Sequence, residues 1–119
     1  MRYIVIVAYQ VFPNLRESFF NLVRTEADAL VQNELGTLHV TSMIDQNDPN
    51  KFINIKIFED ADAYALHKKG EILQSFLTSA DEMILSGPNI VFEGYHMYSC
   101  DDFTLEQNSG NDLSAYFKR

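Results

Sequence analysis

The sequence is poor in several residue types that define common classes of protein. It has a single cysteine, Cys100, so an intrachain disulfide framework and a cysteine-rich metal site are both excluded. One thiol is typical of the reducing cytoplasm, the compartment that we expect. Only 9 Lys and Arg side chains stand against 17 Asp and Glu, and this net charge of −8 argues against nucleic acid as a partner. The apolar run at residues 1–9 is too short to span a bilayer, so we expect no membrane partner.

The composition indicates a globular chain of one domain. Of its 119 residues 46% are hydrophobic and 13% aromatic, which is enough to form a core without disulfides. We predict a folded domain over residues 1–100, followed by a polar segment, 101–119, with a short amphipathic piece at 113–117. That segment is interpreted either as an arm that docks on this chain or a partner, or as a disordered tail.

Hydrophobic periodicity predicts four strands and their connecting helices in the order β-α-β-β-α-β, with a short extra helix. This order is typical of an α+β, ferredoxin-like fold, in which a four-stranded antiparallel sheet has helices on one face only. The other sheet face is apolar in this sequence, so we expect a second copy to cover it in a homodimer. The predicted strands are Tyr3–Tyr9, Thr37–Ile44, Phe52–Phe58 and Ile90–Ser99, and the predicted helices run from Asn14 to Gly36, from Asp60 to Gly70 and over Glu71–Leu85.

Several boundary residues carry specific expectations. Asn14 and Glu17 have the spacing of a capping box at the start of the first helix, and Gly36 is placed to end it in a left-handed cap. Glu26 is assigned to the polar side of that helix. Gly87-Pro88 is predicted to stop the last helix.

Four stretches, in order, resemble one protein family. They are the segments 36–40 (GTLHV), 47–52 (NDPNKF) and 58–68 (FEDADAYALHK), followed by Gly87-Pro88. Together they resemble the antibiotic biosynthesis monooxygenase domain, part of the dimeric α+β barrel group, over about Tyr3–Tyr98. The resemblance implies two sheets packed face to face across a homodimer, with a pocket in each subunit between sheet and helices.

The family includes cofactor-independent oxygenases of quinols and anthrones, haem-degrading enzymes, and enzymes that process a small signalling sugar derivative. Haem-degrading members need an Asn, a Trp and a His where this chain has Val7, His67 and Leu77, which argues against haem. Many quinol-type members carry a strand glutamate where this chain has Lys56. Many also carry a second histidine where Ile72 stands.

His67 is the principal catalytic candidate. Its imidazole titrates near neutral pH, so it can take a proton from a phenol or an activated C–H group and return it. The structural alternative is a helix-end histidine that faces water. His39 and His96, on predicted strands, point into the pocket or into the dimer interface, or are partly buried structural residues. We include His39 among the substrate-binding residues. The three histidines have no metal-site spacing, so no metal is expected.

Four further residues complete the candidate site. Asn54 in the third strand either holds structure or orients a substrate oxygen. Lys56, on the same face, either stabilises a phenolate or covers an interface. Tyr9 and Tyr64 could bind an aromatic substrate by stacking and hydroxyl contacts, or simply pack in the core.

These patterns lead to three functional hypotheses. The first is a cofactor-independent monooxygenase that uses molecular oxygen on a small aromatic or quinol-type substrate, with His67 as base or orienting group. The second is a non-oxidative isomerase or lyase of a small metabolite. The third is a non-catalytic dimer that binds a small apolar ligand, since one fold serves many functions.

Overall fold

A computed structural model describes residues 1–100. The four strands form one antiparallel sheet in the order β2-β3-β1-β4. This confirms the expected α+β, ferredoxin-like architecture, whereas the predicted arm or tail at 101–119 lies outside the described residues. In chain order the elements are β1 (Tyr3–Val11), a short 3-10 helix (Pro13–Leu15), α1 (Arg16–Asn33), β2 (Thr37–Ile44), β3 (Lys51–Phe58), α2 (Ala61–Lys69), α3 (Glu71–Ala80) and β4 (Ile84–Tyr95).

The main core lies between the sheet and helices α1 and α3. Alternate residues of β1 and β3 point towards the helices, because successive side chains of a strand face opposite sides of the sheet. Aromatic rings dominate this layer, and Phe19 of α1 packs 5.0 Å from Phe52 and 5.3 Å from Tyr9, measured between ring centroids. The buried members of the cluster are Tyr9, Val11, Phe19, Val23, Phe52, Phe76 and Ala80.

The ends of α1 differ from the prediction. A 3-10 turn over Pro13–Leu15 precedes the helix, so α1 begins at Arg16 without a side-chain cap, and the capping box at Asn14 is wrong. The helix ends with Glu34 in an extended conformation, and Gly36 is not left-handed. Gly36 is instead required by close packing, because a Cβ there would lie 2.5 Å from Cβ of Ala63. The start of β2 therefore approaches α2 closely.

The last helix and strand also differ from the prediction. Helix α3 ends at Ala80 rather than Leu85, and β4 starts at Ile84 and ends at Tyr95. Gly87-Pro88 lies inside β4, where the register against β1 shifts, so it does not stop a helix. Gly87 has φ +116° and a Cβ there would lie 2.8 Å from the carbonyl oxygen of Ala8. Glycine is needed at this bulge because residues with a side chain rarely adopt this φ angle, and their Cβ would clash with the carbonyl oxygen of Ala8.

Helix α2 follows the prediction. The Asp60 carboxylate accepts a hydrogen bond from the backbone N–H of Ala63 at 2.8 Å, a regular N-cap, and the helix ends before Gly70. Within residues 1–100, none of the helices is long and apolar enough to cross a bilayer.

Candidate active site

A cavity of about 310 Å³ lies between the sheet, helices α2 and α3, and β4. Its wall is mostly apolar, and most of its polar groups come from β3 and α2, with Tyr9 of β1 and Gln74 of α3. A cavity of this kind, with a few converging polar groups, is typical of a small-molecule site. The lining residues are Val5, Val7, Tyr9, Lys56, Tyr64, His67, Lys68, Leu73, Gln74, Leu77, Pro88 and Ile90.

His67 is buried at this cavity, with 2% of its surface exposed. The Asp60 cap fixes the start of α2, and His67 then follows in its last turn, one turn after Tyr64. The imidazole packs 4.9 Å from the ring of Phe58, between centroids. The alternative of a helix-end histidine facing water is therefore wrong, since the side chain is enclosed by the core.

Glu34 orients the imidazole. Its Oε1 lies 2.7 Å from Nδ1 of His67 and also accepts a hydrogen bond of 2.6 Å from the Thr37 hydroxyl. An ionised carboxylate can only accept, so Nδ1 carries the hydrogen and donates it. The Nε2 lone pair of a neutral His67 is then available as an acceptor, which is the arrangement that a general base requires.

Lys56 lies on the other side of the ring. Its Nζ is 3.4 Å from Nε2 of His67 and 3.0 Å from Oε2 of Glu26. Lys56 and Glu26 are only 5% and 4% exposed, so their ion pair is buried in the core. The four side chains form a continuous polar chain through the domain, from Glu34 through His67 and Lys56 to Glu26.

Burial and neighbouring charges both shift the pKa values of His67 and Glu26. Burial is the main cause that lowers the pKa of His67 below 6.5, and the Lys56 ammonium lowers it further. The hydrogen bond and charge of Glu34 act against that shift. Burial raises the pKa of Glu26 above 4.5, although Lys56 opposes this. Near neutral pH His67 is therefore neutral and able to accept a proton.

Two tyrosines of the predicted site also line the cavity. Tyr9 packs against Phe19 and Phe76, and burial, with a smaller contribution from the charge of Glu26, raises the pKa of its hydroxyl. Tyr64 stacks on the ring of Tyr3 with 5.5 Å between centroids, and burial also raises its pKa. Both hydroxyls stay protonated, so they can donate hydrogen bonds but cannot act as phenolates.

The structure does not bring the other two predicted site residues into the cavity. His39 pairs in register with Ile57, so it lies on the open face of the sheet, where it is exposed and contacts the Thr41 hydroxyl. Asn54 is on the helix-covered face and is 1% exposed, but it does not line the cavity. Its amide has no hydrogen-bond partner among the described residues. His96 follows β4 and bonds to Ser99 at 2.6 Å.

The sequence analysis missed Glu34 and misplaced Glu26. Glu26 is not on the polar side of α1, because the buried residues of this helix are Phe19, Val23, Glu26 and Leu30. These four residues recur at helical spacing on one face, and a carboxylate at such a position indicates that the core holds a partner of opposite charge. Glu34 carries no comparable signal, since its contact with His67 joins residues distant in sequence.

Within residues 1–100, no group of three or more His, Cys, Asp or Glu side chains is arranged to hold a metal ion.

Comparison with known proteins supports the same fold. The family model of the antibiotic biosynthesis monooxygenases matches residues 2–78. A protein from Nitrosomonas europaea, provisionally named an antibiotic biosynthesis monooxygenase, superposes with a TM-score of 0.73 at 18% identity, over 79% of this chain and 89% of its own. Another structure with that family name gives a TM-score of 0.71 at 18% identity, over 82% of this chain and 100% of its own.

A conserved protein from Methanosarcina mazei gives a TM-score of 0.69 at 16% identity, over 76% of this chain and 88% of its own. No curated protein has significant similarity to the sequence. At these identities the solved structures establish the fold, and the match to the family model covers more than half of the chain. This chain therefore belongs to the antibiotic biosynthesis monooxygenase family.

Proposed function

We propose that this protein is a cofactor-independent monooxygenase that uses molecular oxygen on a small aromatic or quinol-type substrate. The observation that carries the proposal is the buried Glu34–His67 pair at the cavity, with 2.7 Å between Oε1 and Nδ1. A neutral imidazole with an oriented Nε2 can deprotonate a weak carbon or oxygen acid. Family membership supports the same reaction class.

The reaction needs a proton acceptor and a dry cavity. Nε2 of His67 takes a proton from an activated CH₂ or hydroxyl group, and Glu34 stabilises the imidazolium that forms. The electron-rich anion transfers one electron to oxygen, and the resulting radicals combine to form a C–O bond. The peroxide takes the proton back from His67 and then loses water, so a CH₂ group and O₂ give a carbonyl group and H₂O. The substrate supplies all the electrons, and the scheme uses no metal, flavin or haem.

The apolar cavity supports this proposal in a second way. Valine and leucine side chains with the ring of Tyr9 line the space in front of His67, and such a wall favours a flat apolar molecule. An apolar wall offers water few hydrogen-bond partners, and this disfavours quenching of the anion by water before oxygen reacts. The proposed roles of Tyr9 and Tyr64 are therefore stacking and hydroxyl donation to substrate.

Oxygen consumption by chelator-treated protein with a panel of hydroquinones, naphthohydroquinones and anthrones tests the proposal. His67→Gln should reduce turnover by about 100- to 10,000-fold, because general-base catalysis contributes on that order. His39→Ala is the matched control, since His39 lies on the opposite face of the sheet. Unchanged turnover in His67→Gln would exclude the assigned role. Product formed equally under nitrogen would instead favour an isomerase or lyase.

We also propose that the open face of the sheet pairs with a second copy in a homodimer. The central strands present Ile4, Ile6, Ile53, Ile55 and Ile57 there, and β4 adds the half-exposed Phe92. No helix of the described residues covers this face, and a contiguous exposed apolar patch is typical of an interface. The cavity lies on the other side of the sheet, so pairing would leave its lining residues in place.

A further inference from the structure

We propose that the His67 cavity binds its ligand as an oxyanion, with the negatively charged oxygen held by Nζ of Lys56. This inference rests on the proposed function and narrows its substrate class. The favoured ligands are aromatic or enolic compounds with a weakly acidic hydroxyl, rather than apolar aromatic molecules in general.

The charged side chains that line the cavity are two lysines, although the protein as a whole is acidic. The whole chain has a net charge of −8, yet among the described residues no carboxylate lines this cavity. Lys56 is at its floor, and the exposed Lys68 is at its rim, with Nζ 4.6 Å from the centroid of the Tyr64 ring. Two cations at an apolar cavity in an acidic protein favour a ligand with negative charge.

The position of Lys56 leaves one donor for that ligand. An ammonium group has three N–H donors, and the structure pairs Nζ with Oε2 of Glu26 and Nε2 of His67. A ligand oxygen placed at the cavity floor could accept the third. The apolar surroundings make such a charge-assisted hydrogen bond stronger than it would be in water.

Glu26 acts as a positioning residue. It does not line the His67 cavity, and its carboxylate lies behind Lys56, with 3.0 Å between Oε2 and Nζ. A lysine buried without a counter-charge tends to lose its proton, because desolvation disfavours the charged form. Glu26 therefore supplies the counter-charge to the Lys56 ammonium and fixes its direction.

The proposed contact between Lys56 and the ligand oxygen is also compatible with proton transfer to His67. A ligand hydroxyl that replaces the direct contact of 3.4 Å between Nζ of Lys56 and Nε2 of His67 can donate to the imidazole while its oxygen accepts from the ammonium. After transfer, the imidazolium lies against Glu34 and the oxyanion lies against Lys56. Each charge that develops has a fixed counter-charge, which is the arrangement that lowers the energy of an ionised intermediate.

4-Nitrophenol tests this inference, because only its phenolate absorbs strongly in the visible. Titration into wild-type protein below the solution pKa of the phenol should produce the phenolate spectrum on binding. 4-Nitroanisole, which has the same ring but no hydroxyl, measures the apolar contribution to binding. Glu26→Leu/Lys56→Met removes both charges together and should weaken 4-nitrophenol binding by about tenfold, the size expected for a lost charge-assisted hydrogen bond. Its binding of 4-nitroanisole should stay within about twofold.

Two single variants complete the design. Lys56→Arg keeps the cation and should keep the phenolate spectrum, whereas Lys69→Met, an exposed lysine outside the cavity, should behave as wild type. The inference is overturned if bound 4-nitrophenol stays neutral in wild-type protein, or if the double variant binds the phenolate as tightly as wild type does. Phenolate binding without oxygen consumption on any hydroquinone would refute the proposed oxygenase and leave this inference standing.

Discussion

The helix-covered face of β3 carries Asn54 and Lys56 between two phenylalanines, whereas its open face carries Ile53, Ile55 and Ile57. The polar pair is buried and the three isoleucines are half-exposed, which is the reverse of the usual distribution. Hydrophobicity alone does not explain such a strand. A polar residue in the core has a desolvation cost that must be offset, and an apolar surface favours association. The covered face is therefore the place of the proposed chemistry, and the open face is the place of the proposed self-association.

The ion pair on the covered face gives the largest expected effect. Lys56→Met leaves the Glu26 carboxylate buried without a partner and should lower the free energy of unfolding by about 3–5 kcal/mol. Glu26→Leu/Lys56→Met removes both charges and should be within about 1 kcal/mol of wild type or more stable. Urea unfolding of the three proteins measures this difference. Equal losses in the single and double variants would mean that packing, not charge, keeps these residues there.

A charge introduced on the open face tests whether that face is a dimer interface. Ile55→Asp places a carboxylate at the centre of the proposed interface and should weaken the dimer by about 100-fold or more, because an unpaired buried charge costs several kcal/mol. Leu35→Asp is the matched control, since Leu35 is 95% exposed and lies outside the sheet. Sedimentation velocity over a concentration series separates monomer from dimer. A wild-type protein that is monomeric throughout would refute the proposed pairing.

The pH dependence of turnover gives a smaller effect on the covered face. Burial and Lys56 hold the pKa of His67 below 6.5, so activity should rise with pH along an acidic limb whose midpoint lies below pH 6.5. Glu34→Gln removes the charge that raises this pKa, so the acidic limb should move to lower pH, and turnover should fall by about tenfold or more. The pH–rate profile and an NMR titration of the imidazole report both changes. An acidic limb that moves to higher pH would contradict the assigned contact with Glu34.

The same pKa has a consequence for stability. A base whose pKa is lower in the folded state than in the unfolded state binds fewer protons when folded, so acid favours unfolding. His67 therefore contributes stability above about pH 6.5 that is lost as the pH falls through that value and below it. The raised pKa of Glu26 acts in the opposite sense, because this carboxyl binds a proton more readily in the folded state than in the unfolded state. Urea unfolding of His67→Gln against wild type, over a pH series, therefore isolates the histidine contribution.

The sequence predicted the sheet better than it predicted the site. Strand β2 has the bounds expected from its alternation, whereas α3 and β4 were misjudged because Met83 and Ile84 continue the apolar spacing of α3 into the strand. His67, Tyr9 and Tyr64 were predicted for the site and line one cavity. The Glu34 contact could not be predicted, since it depends on how the segment between α1 and β2 packs against α2. Glu26 lies on the same helical spacing as the buried Phe19, Val23 and Leu30, and it had been assigned to the polar side because of its charge.

Asn54 gives the smallest expected effect and the finest test of the comparison. It is buried on the covered face beside Lys56, yet neither atom of its amide has a partner among the described residues, and it does not line the cavity. An unpaired buried amide destabilises the fold, so Asn54→Leu, which has a similar shape, should raise the free energy of unfolding by about 1 kcal/mol. Turnover should remain unchanged, because the side chain is outside the cavity. A stability gain with a loss of turnover would instead show that Asn54 orients substrate. Asn54 and Lys56, the two polar side chains on the covered face of β3, would then both act in the reaction.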